Sequence, residues 1–183
     1  MPELLLPGSL AFYEEQAMKK IGLLSDTHGY FHKGIVEFFQ DVDEIWHAGD
    51  FGSMEVIEQL EEIAPLRGVY GNIDDASIRT RFPEDNLFIV EGARIYIRHI
   101  GGYPGKYQPG ALKTIINEQP DLFISGHSHI LKVMNDKQRN LLHMNPGAAG
   151  KAGFHKKITA LRFKIREGRF EHLEVFEAPR AGT

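Results

Sequence analysis

The sequence predicts an α/β protein, a four-layer α/β/β/α sandwich of two packed mixed sheets flanked by helices. Three observations predict it. Strand-length apolar runs alternate with helical stretches early in the chain, hairpins dominate late, and four of the apolar runs end in Asp, Asn, His and Gly. In an open α/β sheet, sites form outside the carboxyl ends of the strands, so such endings can converge on one place.

Residues 20–25 read as the first strand and 33–41 as a helix with Ile35, Val36, Phe38 and Phe39 inward. A second strand follows at 44–47. Ser53 is a fair N-cap for a helix whose buried stripe is Val56, Ile57, Leu60 and Ile63, stopped by Pro65. Residues 66–70 read as a third strand, and 87–90 with 94–100 as a hairpin turning at Glu91-Gly92. The stretch 101–110, with its glycines and prolines, reads as a loop long enough to suggest a function. A helix at 110–119, a strand at 121–125, and hairpins at 131–134/141–144 and 158–165/170–176 complete the chain. There is no internal repeat and no interdomain linker.

The composition bounds the function. A chain of 183 residues with 42% hydrophobic and 25% charged content can bury a sizeable core. The net charge of -4 gives no basic footprint, so stable nucleic-acid binding is not expected. No apolar run approaches the roughly 20 residues a membrane helix needs. With no cysteine, any metal must be held by oxygen and imidazole. That composition is compatible with the cytoplasm, the expected location. Residues 1–17 read as an N-terminal appendage to a single domain at 18–183. Residues 10–20 read as a short amphipathic helix with Leu10, Tyr13 and Ala17 at helical spacing, and no signal peptide is expected because no basic residue precedes the leucines. Leu4 to Leu6 and Phe12 are candidates for burial in a homo-oligomer.

The strand endings hold metal-competent side chains. Asp26 and His28 lie two apart, Asp50 ends the next strand, Asn72 offers an amide oxygen, His99 ends the long hairpin strand, and His127 and His129 flank a serine. Imidazole with carboxylate and no sulfur suits Mn, Fe or Zn better than Ca or Mg. A carboxylate can bridge two cations, and paired ions about 3.5–4 Å apart clamp an in-line displacement at phosphorus. Water bridging such ions would serve as the nucleophile, with no covalent intermediate.

The succession Asp26-x-His28, Gly49-Asp50, Gly71-Asn72, His99 and Gly126-His127-x-His129 resembles the calcineurin-like metallophosphoesterases. Gly71-Asn72-Ile73-Asp74 and the turn Asn145-Pro146-Gly147 are similar to the small YfcE-like phosphodiesterase subgroup, over about residues 20–150. The resemblance implies two divalent transition-metal ions, manganese first, with Fe, Ni, Co or Zn as alternatives. It implies Asp26, His28, Asp50 and His129 on one ion and Asp50, Asn72, His99 and His127 on the other. Asn72 and His28 would also touch the phosphoryl oxygens of a small phosphate-ester substrate. The implied activity is a phosphodiesterase; the alternatives are a phosphomonoesterase or nucleotidase on the same metals, or a non-catalytic protein-binding scaffold.

Two positions depart from the pattern. Ile73 stands where many larger relatives carry a histidine thought to assist the leaving group, and Ile100-Gly101-Gly102 follows His99 where relatives often carry Gly-His. Other notable residues have plainer readings. His47 reads as core or as a support for a ligand, and His32, His143, His155 and His172 as structural or surface. Lys151, Lys156 and Lys157 read as a solvated face. Tyr103, Lys106 and Tyr107 read as loop side chains that more often pack than contact substrate, and Asn145-Pro146-Gly147 as a structural turn.

Overall fold

Period-two burial explains how the strands serve two layers at once. In the computed structural model, which describes residues 18–180, strand β1 (Met18–Leu24) sends Ile21 and Leu23 between the sheets and Leu24 toward the helices. Strand β2 (Glu44–His47) does the same with Trp46 and Ile45, and β3 (Leu66–Gly68) lies beside it. Strands β11 (Lys157–Arg166) and β12 (Arg169–Pro179) complete one sheet, in the order β12-β11-β1-β2-β3. Within it β1, β2 and β3 are parallel, while β11 runs antiparallel to β1 and β12.

The second sheet is built alike. It comprises β4 (Asp85–Val90), β5 (Ala93–Arg98), β8 (Leu122–Ile124), β10 (Leu141–Pro146) and β9 (Leu131–Asp136), in that spatial order. Its three central strands are parallel. Ile95, Ile97, Leu122 and Ile124 meet Trp46, Leu161 and Phe163 of the first sheet, and Tyr96 and Phe123 turn the other way. Each such buried side chain contributes about 1.5–3 kcal/mol.

Helices cover both outer faces. Helices α1 (Lys33–Phe38), α2 (Met54–Glu61) and α3 (Ala76–Arg81) pack on the first sheet through Ile35, Val56, Ile57, Leu60 and Ile78. Helix α4 (Pro109–Glu118) covers Tyr96 and Phe123 with Ala111 and Ile115. Ser53 caps α2 by accepting the Val56 N–H, and Pro109 opens α4 where no backbone donor is needed. This is the four-layer arrangement expected from the sequence.

Four local expectations are corrected. The first helix ends at Phe38, and Val36 faces outward at 41% exposure, while Ile35 and Phe39 are buried against the sheet and Phe38 packs partly buried beside them. The third strand stops at Gly68. Residues 101–110 are not wholly a loop: β6 (Gly102–Tyr103) and β7 (Lys106–Tyr107) form a small hairpin before α4. Helix α3 is an addition, nucleated by Asp75, whose carboxylate accepts the Ser77 and Ile78 N–H groups. Of the helix expected over 10–20, residues 18–20 instead begin β1, which pairs with β11; the rest, with the oligomer contacts expected of Leu4 to Leu6 and Phe12, lies outside the described residues. Among those described, no helix is long and apolar enough to cross a membrane.

His143, on β10, is buried against Phe123, and burial pushes its imidazole down to about 4. A histidine depressed in the folded state binds its proton more readily unfolded, so stability falls as pH drops from about 6.5 toward 4, by on the order of 3 kcal/mol. His143→Leu should flatten that part of the pH dependence of the urea midpoint. An unchanged slope would assign the acid sensitivity elsewhere.

Candidate metal centre

Each candidate ligand lies just past the carboxyl end of a strand with a parallel neighbour. Asp26 and His28 follow β1, Asp50 follows β2, Asn72 follows β3, His99 follows β5, and His127 and His129 follow β8. The two sheets therefore deliver these residues to one shared rim. The loops are laced together there by backbone bonds, Asp26 N–H to the Gly49 carbonyl at 2.9 Å and His28 N–H to the Asp50 carbonyl at 3.0 Å. The His127 N–H crosses between sheets to the Asp26 carboxylate at 3.0 Å.

The backbone is strained where the side chains converge. Asp26, His28, Asp50, His127 and His129 all have φ between 48° and 65°, the left-handed region that ordinary residues avoid. Such conformations cost of order 1–3 kcal/mol each and persist when the surroundings over-determine them, chiefly at functional sites. Glycines make the close approach possible. A Cβ on Gly71 would lie 2.0 Å from Asp50 Oδ1, and one on Gly49 (φ 97°) would lie 2.7 Å from His99 Nδ1.

The side chains form two groups of three, Asp26 with His28 and His129, and Asp50 with His99 and His127. Within each group the donor atoms all lie within 4.8 Å of one another. Asp50 also links the groups: its Oδ2 is 3.5 Å from His28 Nε2 and 3.3 Å from His99 Nε2, while its Oδ1 accepts the Ile73 N–H at 3.1 Å. Asn72 Oδ1 lies 3.2 Å from His99 Nε2. Thus all seven residues expected from the sequence come together.

The donor set fits divalent cations. Asp26 Oδ2 accepts from Ser25 Oγ at 2.6 Å and from His127 N–H, and its Oδ1 faces His129 Nε2 at 3.1 Å, whereas buried His28 Nε2 lacks a hydrogen-bond partner. Buried polar atoms left so are costly unless something else meets them. His99 donates its Nδ1–H to the Ala48 carbonyl at 2.7 Å, which turns the Nε2 lone pair inward. Burial disfavours the charged form of His99, but the bond to Asp50 and the charges of Asp26 and Asp50 raise its pKa overall. The bond to Asp26 raises His129 similarly. Burial pushes the Asp50 carboxyl up, but the bond to His99, its charge, the Ile73 N–H and His28 together hold it below the usual range.

Residues outside the seven support the site. Asp74 braces the rim by accepting the Gly71 N–H at 2.7 Å and the Gly52 N–H at 2.9 Å. Its place in the Gly71-Asn72-Ile73-Asp74 run, two residues after Asn72, was the available signal. His47 is wholly buried, stacks on Phe51, accepts the Gly49 N–H and so presents Nε2–H to Thr27 Oγ1 at 2.9 Å; burial drives its pKa well down. It is a support, as expected. His155 was read as structural or surface, and the structure places its ring 5.2 Å from that of His129. Asn145 is a structural turn residue: its Nδ2 donates to the Gly126 carbonyl and Ser128 Oγ, fixing the loop of His127 and His129. Tyr107 packs, donating to Asp136 at 3.0 Å.

Two pockets flank the His99–His127 side of the cluster. One, of about 410 Å³, is lined by Tyr70, Asn72, Arg79, Arg98, His99 and Gln108. The other, of about 190 Å³, is lined by Tyr103, His127, Ile130 and His143 among others. Ile100 and Gln108 border both, so the segment departing from the family pattern divides them.

Residues 18–168 match the calcineurin-like phosphoesterase superfamily domain. A probable metallophosphoesterase of Methanothermobacter thermautotrophicus is 32% identical over 136 residues, 70% of this chain and 76% of that protein. A phosphodiesterase of Methanocaldococcus jannaschii is 29% identical over 144 residues, 70% of this chain and 82% of that one. The structure of an archaeal phosphodiesterase superposes with a TM-score of 0.67 at 22% identity, covering 86% of this chain and 99% of the other. The chain belongs to the calcineurin-like phosphoesterase superfamily, and it is a metal-dependent hydrolase of phosphate esters.

Proposed function

We propose that the protein is a two-metal phosphodiesterase. The observation supporting this most strongly is the pair of Asp/His groups, each with its donor atoms within 4.8 Å, and Asp50 placed between them. Asp26, His28, Asp50 and His129 would hold one divalent ion, and Asp50, Asn72, His99 and His127 the other. Manganese is the first choice, given oxygen and imidazole donors and no thiolate. When bound, such ions acidify water and offset charge on the phosphoryl oxygens.

The chain's own residues supply position. Ser25 and His127 N–H orient the Asp26 carboxylate, the Ile73 N–H orients Asp50, and Ala48 fixes the His99 tautomer. Asn72 is exposed and His28 partly so, which leaves both within reach of a phosphoryl group. Water attacks phosphorus in line, and the bond to the leaving oxygen breaks. Ile73, 46% exposed beside this site, has no proton to donate, so the leaving oxygen must depart as an anion or take its proton from solvent. Two pockets suit the two ester substituents of a diester, which favours that substrate class over a monoester.

Asp50→Asn should lose at least one ion by metal analysis and reduce diester turnover by more than the ~10–100-fold typical of a supporting residue. Retained metal and activity would remove the bridge. Aryl diesters should react about 10²–10⁴-fold faster than alkyl diesters, since general-acid help is missing; equal rates would reveal another proton donor. Side by side, bis-p-nitrophenyl phosphate should outpace p-nitrophenyl phosphate, and the reverse order would make the protein a monoesterase.

A further inference from the structure

The larger pocket contains a cation that the described chain does not neutralise. Arg79 on α3 donates Nε–H to the Asp74 carbonyl at 2.7 Å and Nη2–H to the Asn72 carbonyl at 3.2 Å, and its guanidinium lies 4.8 Å from the Tyr70 ring centre. Those contacts fix the plane of the group while Nη1 has no bond among the described residues. Arg81 and Arg98 differ, being paired with Glu61 and with Asp85 and Glu84 respectively. Arg98 shares the pocket, but its two carboxylates outweigh its single charge and would repel an anion at that end.

An oriented guanidinium with open donors is suited to a phosphate, which it can bind through more than one N–H. Its anchor is the backbone of Asn72, whose side chain is a proposed ligand, so the cation and the centre belong to one rigid segment. We propose that Arg79 makes this pocket a subsite for a second phosphate group, so that preferred substrates are phosphodiesters with one ester substituent that is itself phosphorylated. This rests on the phosphodiesterase reading and names its substrate class. Arg79 is a specificity residue here: it touches the substituent and takes no part in bond cleavage. The pocket's volume of about 410 Å³ accommodates a phosphorylated arm of a few carbons.

The experiment compares, on manganese-loaded protein, bis-p-nitrophenyl phosphate with the mixed diester of p-nitrophenol and glycerol phosphate. Wild type should favour the phosphorylated diester in kcat/KM by roughly tenfold, the scale of one charge-assisted contact. In Arg79→Gln the ratio should fall to near one, and Arg79→Lys should retain part of it. If Arg79 only braces the Asn72 segment, both substrates slow alike and the ratio survives, which overturns the proposal. So does a wild-type ratio near one. Calorimetry supplies a second readout independent of turnover: glycerol bisphosphate should bind wild type about tenfold more tightly than inorganic phosphate, and the gap should close in Arg79→Gln. A gap that is absent, or that persists in the variant, rejects the subsite. Wild type inert on both diesters yet showing the Arg79-dependent gap would reject the phosphodiesterase reading and keep the subsite.

Discussion

The carboxylate of Asp50 stands where the strand ends of two sheets meet, and the rest of the centre is arranged around its confinement. One oxygen is held by the Ile73 N–H, and the other lies within 3.5 Å of imidazoles from both groups. The backbone beneath it is left-handed, and the strand-end segment beside it carries glycine because any side chain would occupy the same space. Such a residue could not be held by its own loop alone. It is over-determined by β1, β2, β3 and β5 together, so the energy of packing the sheets also maintains the geometry of the site.

Double-sided strands make that possible. A strand that alternates its side chains between the inter-sheet core and a helix layer is immobilised on both faces, and its terminus inherits the rigidity. Ile21, Leu23 and Leu24 do this before Asp26, as Ile45 and Trp46 do before Asp50 and Leu122, Phe123 and Ile124 do before His127. The candidate ligands are placed on loops, yet Asp26, Asp50 and His127 lie only a few residues beyond strands buried on both faces.

Much of this was legible in the sequence because the two signals coincide. Buried strands leave short apolar runs, and a site at their ends leaves Asp, Asn, His and Gly directly after them; residues 44–47 were placed to the residue. The seven clustered residues were legible for the same reason. Helix α3 was not, because only Ile78 marks a buried face in a six-residue helix whose formation depends on the Asp75 cap. Arg79 and His155 were invisible because each reaches the rim through tertiary placement, with no periodicity or neighbour in sequence to announce it. Val36 misled because it is as apolar as Ile35 beside it, and only the seating of the helix on the sheet decides which of two adjacent positions turns inward.

The bond from His127 N–H to Asp26 joins residues separated by 101 positions, and β1 finds its antiparallel neighbour only in β11. Strand β1 therefore keeps one edge unpaired until β11, made much later, reaches it. A cation arriving early meets scattered donors with no pocket to hold it. Holding an ion therefore requires both ends of that span to have met, and its binding free energy adds to the stability of the contact between them.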